Sequence, residues 1–269
     1  MVVGAGSGVG RDGVVARACG AAAACDDDGS RSHDGDGGDR DSVAAAGSGL
    51  SPARTLASRG PWLLASAFAM YSGQWLAVIG FLPTIYAQGG TALAAAGLLT
   101  AVAAAANMAG NIAAGRLLHA GVPAERLLYA GYAAMAVCAL LAFVAVPFAD
   151  AAAAAAAPQP LLPPAVRFVA VLLFSGVGGL VPATLFTLAV RVAPGEGTLS
   201  TTVGWMQQGS AIGQFAGPPL VAWVAGLAAG WHLTWLATGA CSIAGLALVA
   251  ALAQHLKGAA AAIPLRHIR

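Results

Sequence analysis

The stretch GWMQQGSAIGQFAGPPL, residues 204–220, combines features that seldom occur together. Its residues are mostly apolar, yet it carries three glutamines, four glycines and two adjacent prolines. Burying an amide away from water costs free energy unless the amide finds a hydrogen-bond partner. The stretch therefore raises the question of what Gln207, Gln208 and Gln214 contact.

The composition of the whole chain identifies the medium that surrounds this stretch. Of the 269 residues, 58% are hydrophobic and 9% are charged, whereas an ordinary soluble domain carries about 25% charged residues. Eight of the eleven acidic residues and six of the thirteen basic residues precede Pro61. The sequence thus predicts an all-α integral membrane protein that follows a polar tail.

Residues 1–60 are predicted to be this tail, low in complexity and disordered. The run CDDDGSRSHDGDGGDRDS, residues 25–42, has no apolar period and cannot bury enough surface to offset the entropy of ordering it. The glycine-rich start lacks the βαβ context of a dinucleotide-binding turn, and the aspartates lack the glutamate and flanking helices of a calcium loop. We therefore expect no cofactor, no metal and no nucleic-acid partner.

Residues 61–257 are predicted to be a membrane domain of six helices, with residues 258–269 as a short cytoplasmic tail. Each apolar stretch is long enough, at about 1.5 Å per residue, to cross a hydrocarbon core of about 30 Å. Glycine and proline mark the breaks between the stretches. The predicted spans are 62–86, 91–115, 126–148, 166–190, 199–227 and 231–256.

The distribution of positive charge predicts the orientation, because cytoplasmic loops carry the excess of lysine and arginine. With six spans and both termini inside, the outer side receives only Arg167. The inner side receives the remaining basic residues that flank the spans: Arg54, Arg59, Arg116, Arg126, Arg191, Lys257, Arg266 and Arg269. We therefore expect a protein of the bacterial inner (cytoplasmic) membrane with both termini in the cytoplasm.

Polar residues inside a membrane span are the first candidates for a functional site. In the fifth span, spacings of three and four place Gln207 and Gln214 on one stripe of a helix. A series of small residues lies on a different side of that helix, where it lets another helix approach closely: Gly209, Gly213 and Gly217. This helix is therefore predicted to use one surface for packing and another for a polar path.

Other spans add polar side chains of the same kind. In the second span Asn107 and Asn111 form a similar stripe, the first span contributes Gln74 and Tyr71, and Ser175 comes from the fourth. Satisfying so many amides in a dry interior would demand many partners, so their number favours a shared wet cavity. The residues expected to line a solute path are Tyr71, Gln74, Asn107, Asn111, Gln207 and Gln214.

Alternative interpretations of these residues stay open. An amide in a membrane helix often bonds to a neighbouring helix, at about 0.6 kcal/mol, and then needs no ligand. Arg167, at the outer start of the fourth span, either faces inward and attracts an anionic solute or extends its side chain to the outer interface. The three acidic residues after Pro61 lie in connections and not within spans, so the sequence does not identify a coupling ion.

The second connection, GNIAAGRLLHAGVPAERLLYAG at residues 110–131, resembles the short cytoplasmic loop that recurs in each half of major facilitator superfamily transporters. The residues that match that loop are Gly115, Leu117, Gly121 and Arg126. His119 stands where the loop of the superfamily carries an acidic residue. Together with GQWLAVIGFLPTIYAQGG, residues 73–90, and the opening stretch, the chain resembles the C-terminal six helices of that superfamily. Among its branches, the pattern is most similar to permeases for cyanate and related small organic solutes.

This resemblance implies a fold, a function and a partner. The fold would be half of a major facilitator bundle, two three-helix repeats of inverted topology, with the first and fourth spans nearest the cavity. The function would be secondary active transport of a small organic solute or anion, and not catalysis. Superfamily members place the substrate between two six-helix halves. The chain is therefore expected either to be a truncated carrier that lacks its N-terminal half or to pair with a second copy of itself.

Two other classes of function remain as alternatives. A non-transporting membrane subunit, or an inert fragment, would use the same amides for packing. An intramembrane protease is suggested by FSGVGG, residues 174–179, which resembles the serine turn of rhomboid proteases. However, Leu173 replaces the first glycine of that turn, and neither His232 nor His255 lies deep in a span. A serine and histidine pair therefore has no evident geometry.

Overall fold

The computed structural model describes residues 52–146, 159–195 and 197–261. These residues are predominantly helical, which confirms the all-α prediction for the described part of the chain. Its strand pairing is a two-residue antiparallel ladder between β1, Ala145–Val146, and β2, Gln159–Pro160.

Seven α-helices of more than ten residues lie in the described part of the chain. They are α1 (Arg59–Gln88), α2 (Leu93–His119), α3 (Ala124–Phe143), α4 (Pro164–Gly178), α5 (Leu180–Val192), α6 (Leu199–Leu227) and α7 (Thr234–Ala261). A 3₁₀ turn, Trp231–Leu233, precedes α7. Residues 52–57 are also helical, so described helical structure begins inside the segment that was predicted as a tail up to residue 60. The rest of that predicted tail, residues 1–51, lies outside the described residues.

Five helical segments are long and apolar enough to cross a membrane, and they agree with five of the six predicted spans. They are Arg59–Gln88, Leu93–His119, Ala124–Phe143, Pro164–Val192 and Trp231–Ala259. The remaining span, the fifth predicted one at residues 199–227, is present as the 29-residue helix α6 but does not reach the same apolarity. Its glutamines, hydroxyl groups and two prolines lower its mean hydropathy.

The fourth predicted span is broken near its middle. The segment Pro164–Val192 consists of two helices, α4 and α5, which are separated at Gly179. Pro182 follows three residues later inside α5. Proline has no N–H to donate to the carbonyl four residues earlier, so the helical hydrogen-bond ladder is interrupted at this point of the chain.

Glycine ends two of the helices as the sequence predicts. Gly90 and Gly121 each have φ of 85°, a left-handed conformation that glycine adopts without steric cost. Beyond Gly90, the N–H of Thr91 donates to the Tyr86 carbonyl at 3.0 Å, and Val122 makes the equivalent bond beyond Gly121. These are Schellman caps, which satisfy carbonyls in the last turn of α1 and of α2.

Helix α1 occupies the centre of the bundle. It packs most extensively against α6 and also contacts α2, α5 and α7. Half of its 30 residues are buried, among them Leu64, Val78 and Leu82. By contrast, α2 buries four of its 27 residues and is therefore peripheral in this chain.

The crossing of α1 and α6 confirms the prediction made from the glycine series. Gly209, Gly213 and Gly217 lie against the backbone of α1 so closely that a Cβ on any of them would collide with a carbonyl oxygen. The three carbonyls belong in turn to Ala65, Ala69 and Gly73. Lipid tails are as apolar as core side chains, so close backbone packing of this kind is a main source of helix association in a membrane.

A second crossing, between α2 and α4, has the same character. A Cβ on Gly110 of α2 would collide with the carbonyl of Gly176 in α4. At the end of α4, a Cβ on Gly179 would collide with the carbonyl of Asn107. Both crossings therefore depend on glycine at the point of contact.

Candidate functional site

A polar network joins α1, α2 and α4 beside their crossing. The Nδ2 of Asn107 donates to the Tyr71 hydroxyl at 2.7 Å and to the Ser175 carbonyl at 3.0 Å. The Nδ2 of Asn111 donates to the backbone carbonyl of Asn107 at 2.9 Å and to its Oδ1 at 3.1 Å. The indole Nε1 of Trp75 donates to the Ser175 hydroxyl at 3.0 Å. The structure thus brings together three predicted site residues, Tyr71, Asn107 and Asn111.

One hydrogen-bond acceptor of this polar network has no donor within the described chain. Tyr71 is buried, whereas Asn107 and Asn111 are half-buried. Both N–H groups of the Asn107 amide have acceptors within the bundle. The Oδ1 of Asn111 has no hydrogen-bond donor within the described chain, so it is the atom of the network best able to accept a bond from water or a solute.

A second polar cluster lies at the crossing of α1 and α6. The Nε2 of Gln214 donates to the Ser210 hydroxyl at 3.0 Å. The Ser72 hydroxyl of α1 approaches the Ser210 carbonyl at 3.1 Å and the Phe68 carbonyl at 2.6 Å. This places Gln214 at the edge of the crossing, with its side chain exposed.

Gln207 and Gln208 are exposed on the same helix. In the part of the chain that the structure describes, neither side chain has a hydrogen-bond partner from another helix. Their neighbour Phe215 is 84% exposed, so this side of α6 is not covered by the rest of the chain. The exposed surface formed by Gln207, Gln208, Gln214 and Phe215 is called the open face of α6 below.

The two polar clusters correspond to each other residue by residue. In α2, Asn107 and Asn111 lie four residues apart, are hydrogen-bonded to each other, and enclose Gly110 at the crossing. In α6, the equivalent residues are Ser210, Gln214 and Gly213.

The partner helices repeat the correspondence. A Ser–Gly pair in α1, Ser72 and Gly73, contacts Ser210 and Gly213 of α6, and the Ser–Gly pair Ser175 and Gly176 in α4 contacts Asn107 and Gly110 of α2. The crossing of α1 with α6 and that of α4 with α2 thus use the same local design.

Gln74 lies apart from both clusters. It is 1% exposed and points towards α7, where its Oε1 accepts a hydrogen bond from the Ser242 hydroxyl at 2.9 Å. Its Nε2 is buried and has no hydrogen-bond partner within the described residues. The side chain therefore joins α1 to α7, whereas Tyr71 and Ser72 bond to α2 and α6.

Arg167 also lies apart from both clusters, near the start of α4. Its Nε donates to the Ala142 carbonyl at 2.7 Å, and the residue is half-buried. It lines a cavity of about 250 Å³ together with Gln88, Trp231 and His232. The seven predicted site residues therefore occupy four places: the polar network, the α6 surface, the α1 and α7 interface, and the cavity at Arg167.

Three serines hydrogen-bonded in the structure are not among the predicted site residues: Ser72 and Ser210 lie in the second polar cluster, and Ser242 donates to Gln74. For Ser210 a signal was present, because NMAGN at residues 107–111 and SAIGQ at residues 210–214 share one pattern. Two polar residues four apart enclose a glycine in each. This internal similarity pairs the two helices.

Comparison with known proteins adds no family to this description. No protein-family model matches the chain, and no curated protein matches it. Fold and site define the chain as a helical membrane protein with five apolar segments long enough to span a bilayer. Its distinguishing feature is a pair of equivalent, polar helix crossings.

Proposed function

We propose that the chain is a membrane carrier for a small organic solute or anion, built as a six-helix half of the major facilitator type. The observation that carries the proposal is the open face of α6, where three amides are exposed on a helix of membrane length. An amide in contact with hydrocarbon lacks hydrogen-bond partners, and this loss costs a free energy of about several kcal/mol for each unsatisfied group. A water-filled path, or a second protein body that encloses one, would supply the missing partners.

The two equivalent crossings support the proposed half-bundle. In a bundle of two inverted three-helix repeats, the contact of the first span with the fifth is equivalent to that of the fourth span with the second. In this chain the first, second and fifth spans are α1, α2 and α6, and α4 begins the fourth span. The contacts of α1 with α6 and of α4 with α2 meet this expectation. So do the contacts of α1 with α7 and of α4 with α3, which pair the first helix with the sixth and the fourth with the third.

The proposed partner is a second six-helix body, contributed by another copy of the chain or by a complementary half. The path would run between the two bodies, along the open face of α6 and the Asn111 side of the polar network. Both surfaces flank α1, which agrees with a cavity centred on the first and fourth helices. Lipid would cover the remaining apolar surface.

Uptake into liposomes tests the proposal. Purified full-length chain would be reconstituted, and uptake of a panel of radiolabelled small organic anions, including cyanate, would be measured with and without an imposed proton gradient. We expect saturable uptake for at least one member. Replacing Gln207 and Gln214 together by leucine should lower it by about tenfold or more, since each lost hydrogen bond contributes about 1 kcal/mol.

The matched control is Gln254→Leu, an exposed glutamine near the end of α7 that is not part of the open face of α6. It removes the same amide and adds the same apolar group, so uptake should stay within about twofold of the unmodified chain. Equal uptake by the Gln207 and Gln214 double variant, at equal protein content per liposome, would contradict the proposed path.

A second candidate, a non-transporting membrane subunit, is favoured by one observation. Tyr71, Asn107 and Gln74 are hydrogen-bonded within the bundle, as polar side chains with a structural role would be. This candidate predicts no saturable uptake for any member of the panel. A protease finds less support, because the Ser175 hydroxyl accepts a bond from the Trp75 indole and contacts no histidine within the described residues.

A further inference from the structure

The cavity at Arg167 is assembled from several separate parts of the chain, among them the end of α3 at Phe143. The end of α1 contributes Gln88, the β1 and β2 ladder contributes Ala145 and Pro160, the start of α4 contributes Arg167, and the turn between α6 and α7 contributes Trp231. Its volume is about 250 Å³. A smaller pocket of about 100 Å³ adjoins it, because both are lined by Arg167 and share the walls Ile85, Gly89 and Phe143. The two together are called the outer cavity below.

The described lining of the outer cavity carries positive charge. Arg167 is a half-buried guanidinium, and one of its five N–H donors is used by the Ala142 carbonyl. The imidazole of His232 lines the same cavity. None of the described residues that line either pocket is acidic. A guanidinium held in a partly apolar wall without a described carboxylate beside it attracts an anion more strongly than one in bulk water.

A second donor belongs to a wall of the same cavity. The hydroxyl of Tyr86 is buried and has no hydrogen-bond partner within the described residues. Tyr86 lines the smaller pocket together with Arg167. Buried polar groups are nearly always hydrogen-bonded in proteins, so an unpartnered hydroxyl beside a cation indicates a place for an acceptor. A carboxylate or similar group there would accept from both residues.

Size limits the choice of anion. The outer cavity is near the lower end of the range, roughly 300 to 1,000 Å³, that holds drug-sized ligands. Its other walls include Ile85, Phe143 and Pro160, which are apolar. A small planar anion matches this combination, because a guanidinium binds a planar carboxylate with two parallel hydrogen bonds.

We propose that the outer cavity binds a small monovalent organic anion, such as a short carboxylate, at the Arg167 guanidinium and the Tyr86 hydroxyl. As a recognition site for a transported solute, this assignment rests on the transport function proposed above. It narrows the substrate class of that function to anions. Binding itself does not depend on transport and is measured separately.

Tryptophan fluorescence offers a direct measurement of binding. Trp231 lines the outer cavity, and its indole Nε1 donates to the Gln88 Oε1 at 2.8 Å, so occupancy should change its emission. The full-length chain in phosphatidylcholine nanodiscs would be titrated with acetate, and with acetamide as a neutral molecule of similar shape. We expect saturable change with acetate and none with acetamide. Trp231→Phe should remove the signal while calorimetry still detects binding.

Variants assign the site to its residues. Arg167→Gln should weaken acetate binding by about tenfold or more, as expected for a charge-assisted hydrogen bond. Arg191→Gln, at the end of α5, removes an equal charge elsewhere and should leave binding unchanged. Tyr86→Phe removes a single oxygen and should weaken binding by about threefold to tenfold. If Arg167→Gln fails to fold, Arg167→Lys keeps the charge, and Tyr86→Phe still tests the site.

Each outcome of these titrations decides the assignment. Equal responses to acetate and acetamide, or unchanged acetate binding in Arg167→Gln and Tyr86→Phe, would overturn the outer cavity as an anion site. Loss of acetate binding when phosphatidylglycerol is added to the nanodiscs would assign the cavity to a lipid phosphate and overturn the proposal for a free anion. Acetate binding without uptake of any anion would support the site and count against transport, so the two failures are distinguishable.

Discussion

Ala229 has a backbone conformation that its side chain disfavours. Its φ is 51°, and it is the non-glycine residue with a positive φ within the described chain. It lies in the turn between α6 and α7, where the N–H of Gly230 donates to the Ala225 carbonyl at 2.9 Å. This is the Schellman geometry that Gly90 and Gly121 adopt without strain. At this third position the chain carries alanine where glycine fits best.

Replacing Ala229 by glycine should therefore stabilise the protein. The left-handed conformation costs an L-residue about 1 to 2 kcal/mol, and part of this is offset by the greater flexibility of glycine in the unfolded chain. We expect Ala229→Gly to raise the thermal midpoint in detergent by about 2–4 °C. Ala228→Gly is the matched control, because Ala228 has a right-handed conformation with φ of −84° and should gain nothing. A lower midpoint for Ala229→Gly than for the unmodified chain would contradict this reading of the turn.

The spacing of polar residues in the sequence predicted only some of their hydrogen-bond partners. The spacing of Asn107 and Asn111 correctly indicated a shared stripe, since the two amides are hydrogen-bonded at 3.1 Å. The spacing could not indicate that Gln74 turns towards Ser242 of α7 instead of joining Tyr71. Gln74 and Tyr71 are three residues apart on one helix, and their partners come from different neighbouring helices.

The helix crossings belong to the scale of elements, and α6 offers a matched pair of glycines to test them. A Cβ added to Gly213 would collide with the carbonyl of Ala69, whereas a Cβ added to Gly204 would meet no atom within 4 Å. Both glycines lie in the same helix. Replacing each by alanine therefore separates the effect on the crossing from the effect on helix propensity.

Gly213→Ala should destabilise the bundle by about 1–3 kcal/mol, because the backbones of α1 and α6 must move apart. Gly204→Ala should be neutral or stabilising by up to about 1 kcal/mol, since alanine favours a helix. Thermal unfolding in detergent, followed by circular dichroism, measures both variants. If the two variants unfolded at the same temperature, the crossing of α1 with α6 would not depend on glycine.

The whole molecule has a clear asymmetry of charge between its two ends. Arg59 and His255 line a cavity where α1 begins and α7 approaches its end. Arg116 and Arg191 fall in the last turns of α2 and α5, which by alternation of the helices belong to that same end. Arg167 lies at the opposite end, beside the outer cavity. The positive-inside rule then predicts that the end with Arg59 faces the cytoplasm.

Cysteine labelling in intact cells tests this orientation. In a background without the four native cysteines, Ala87→Cys lies near the end of α1 and Ala120→Cys follows α2. Both positions are exposed. A membrane-impermeant maleimide should label Ala87→Cys in intact cells but label Ala120→Cys only after lysis. The reverse pattern would mean that the termini lie outside.

The sequence by itself determined the membrane class, most of the helical spans and the small-residue face of α6. Each of these follows from local composition or from the helical period of 3.6 residues, and both can be read directly from the order of residues in the chain. The stretch at residues 204–220 contained the glycine series and the exposed amides together. Its apolarity was overestimated as a membrane span, because the same amides lower its hydropathy.

Only the tertiary structure decided which residues meet. The pairing of Asn107 with Tyr71 and Ser175, and the position of Arg167 in a cavity built from several parts of the chain, depend on how each helix is rotated against its neighbours. Helical periodicity defines the stripes of a helix but not the direction in which each stripe faces. That direction is set by close packing between helices distant in the chain, here by glycine contacts at the two crossings.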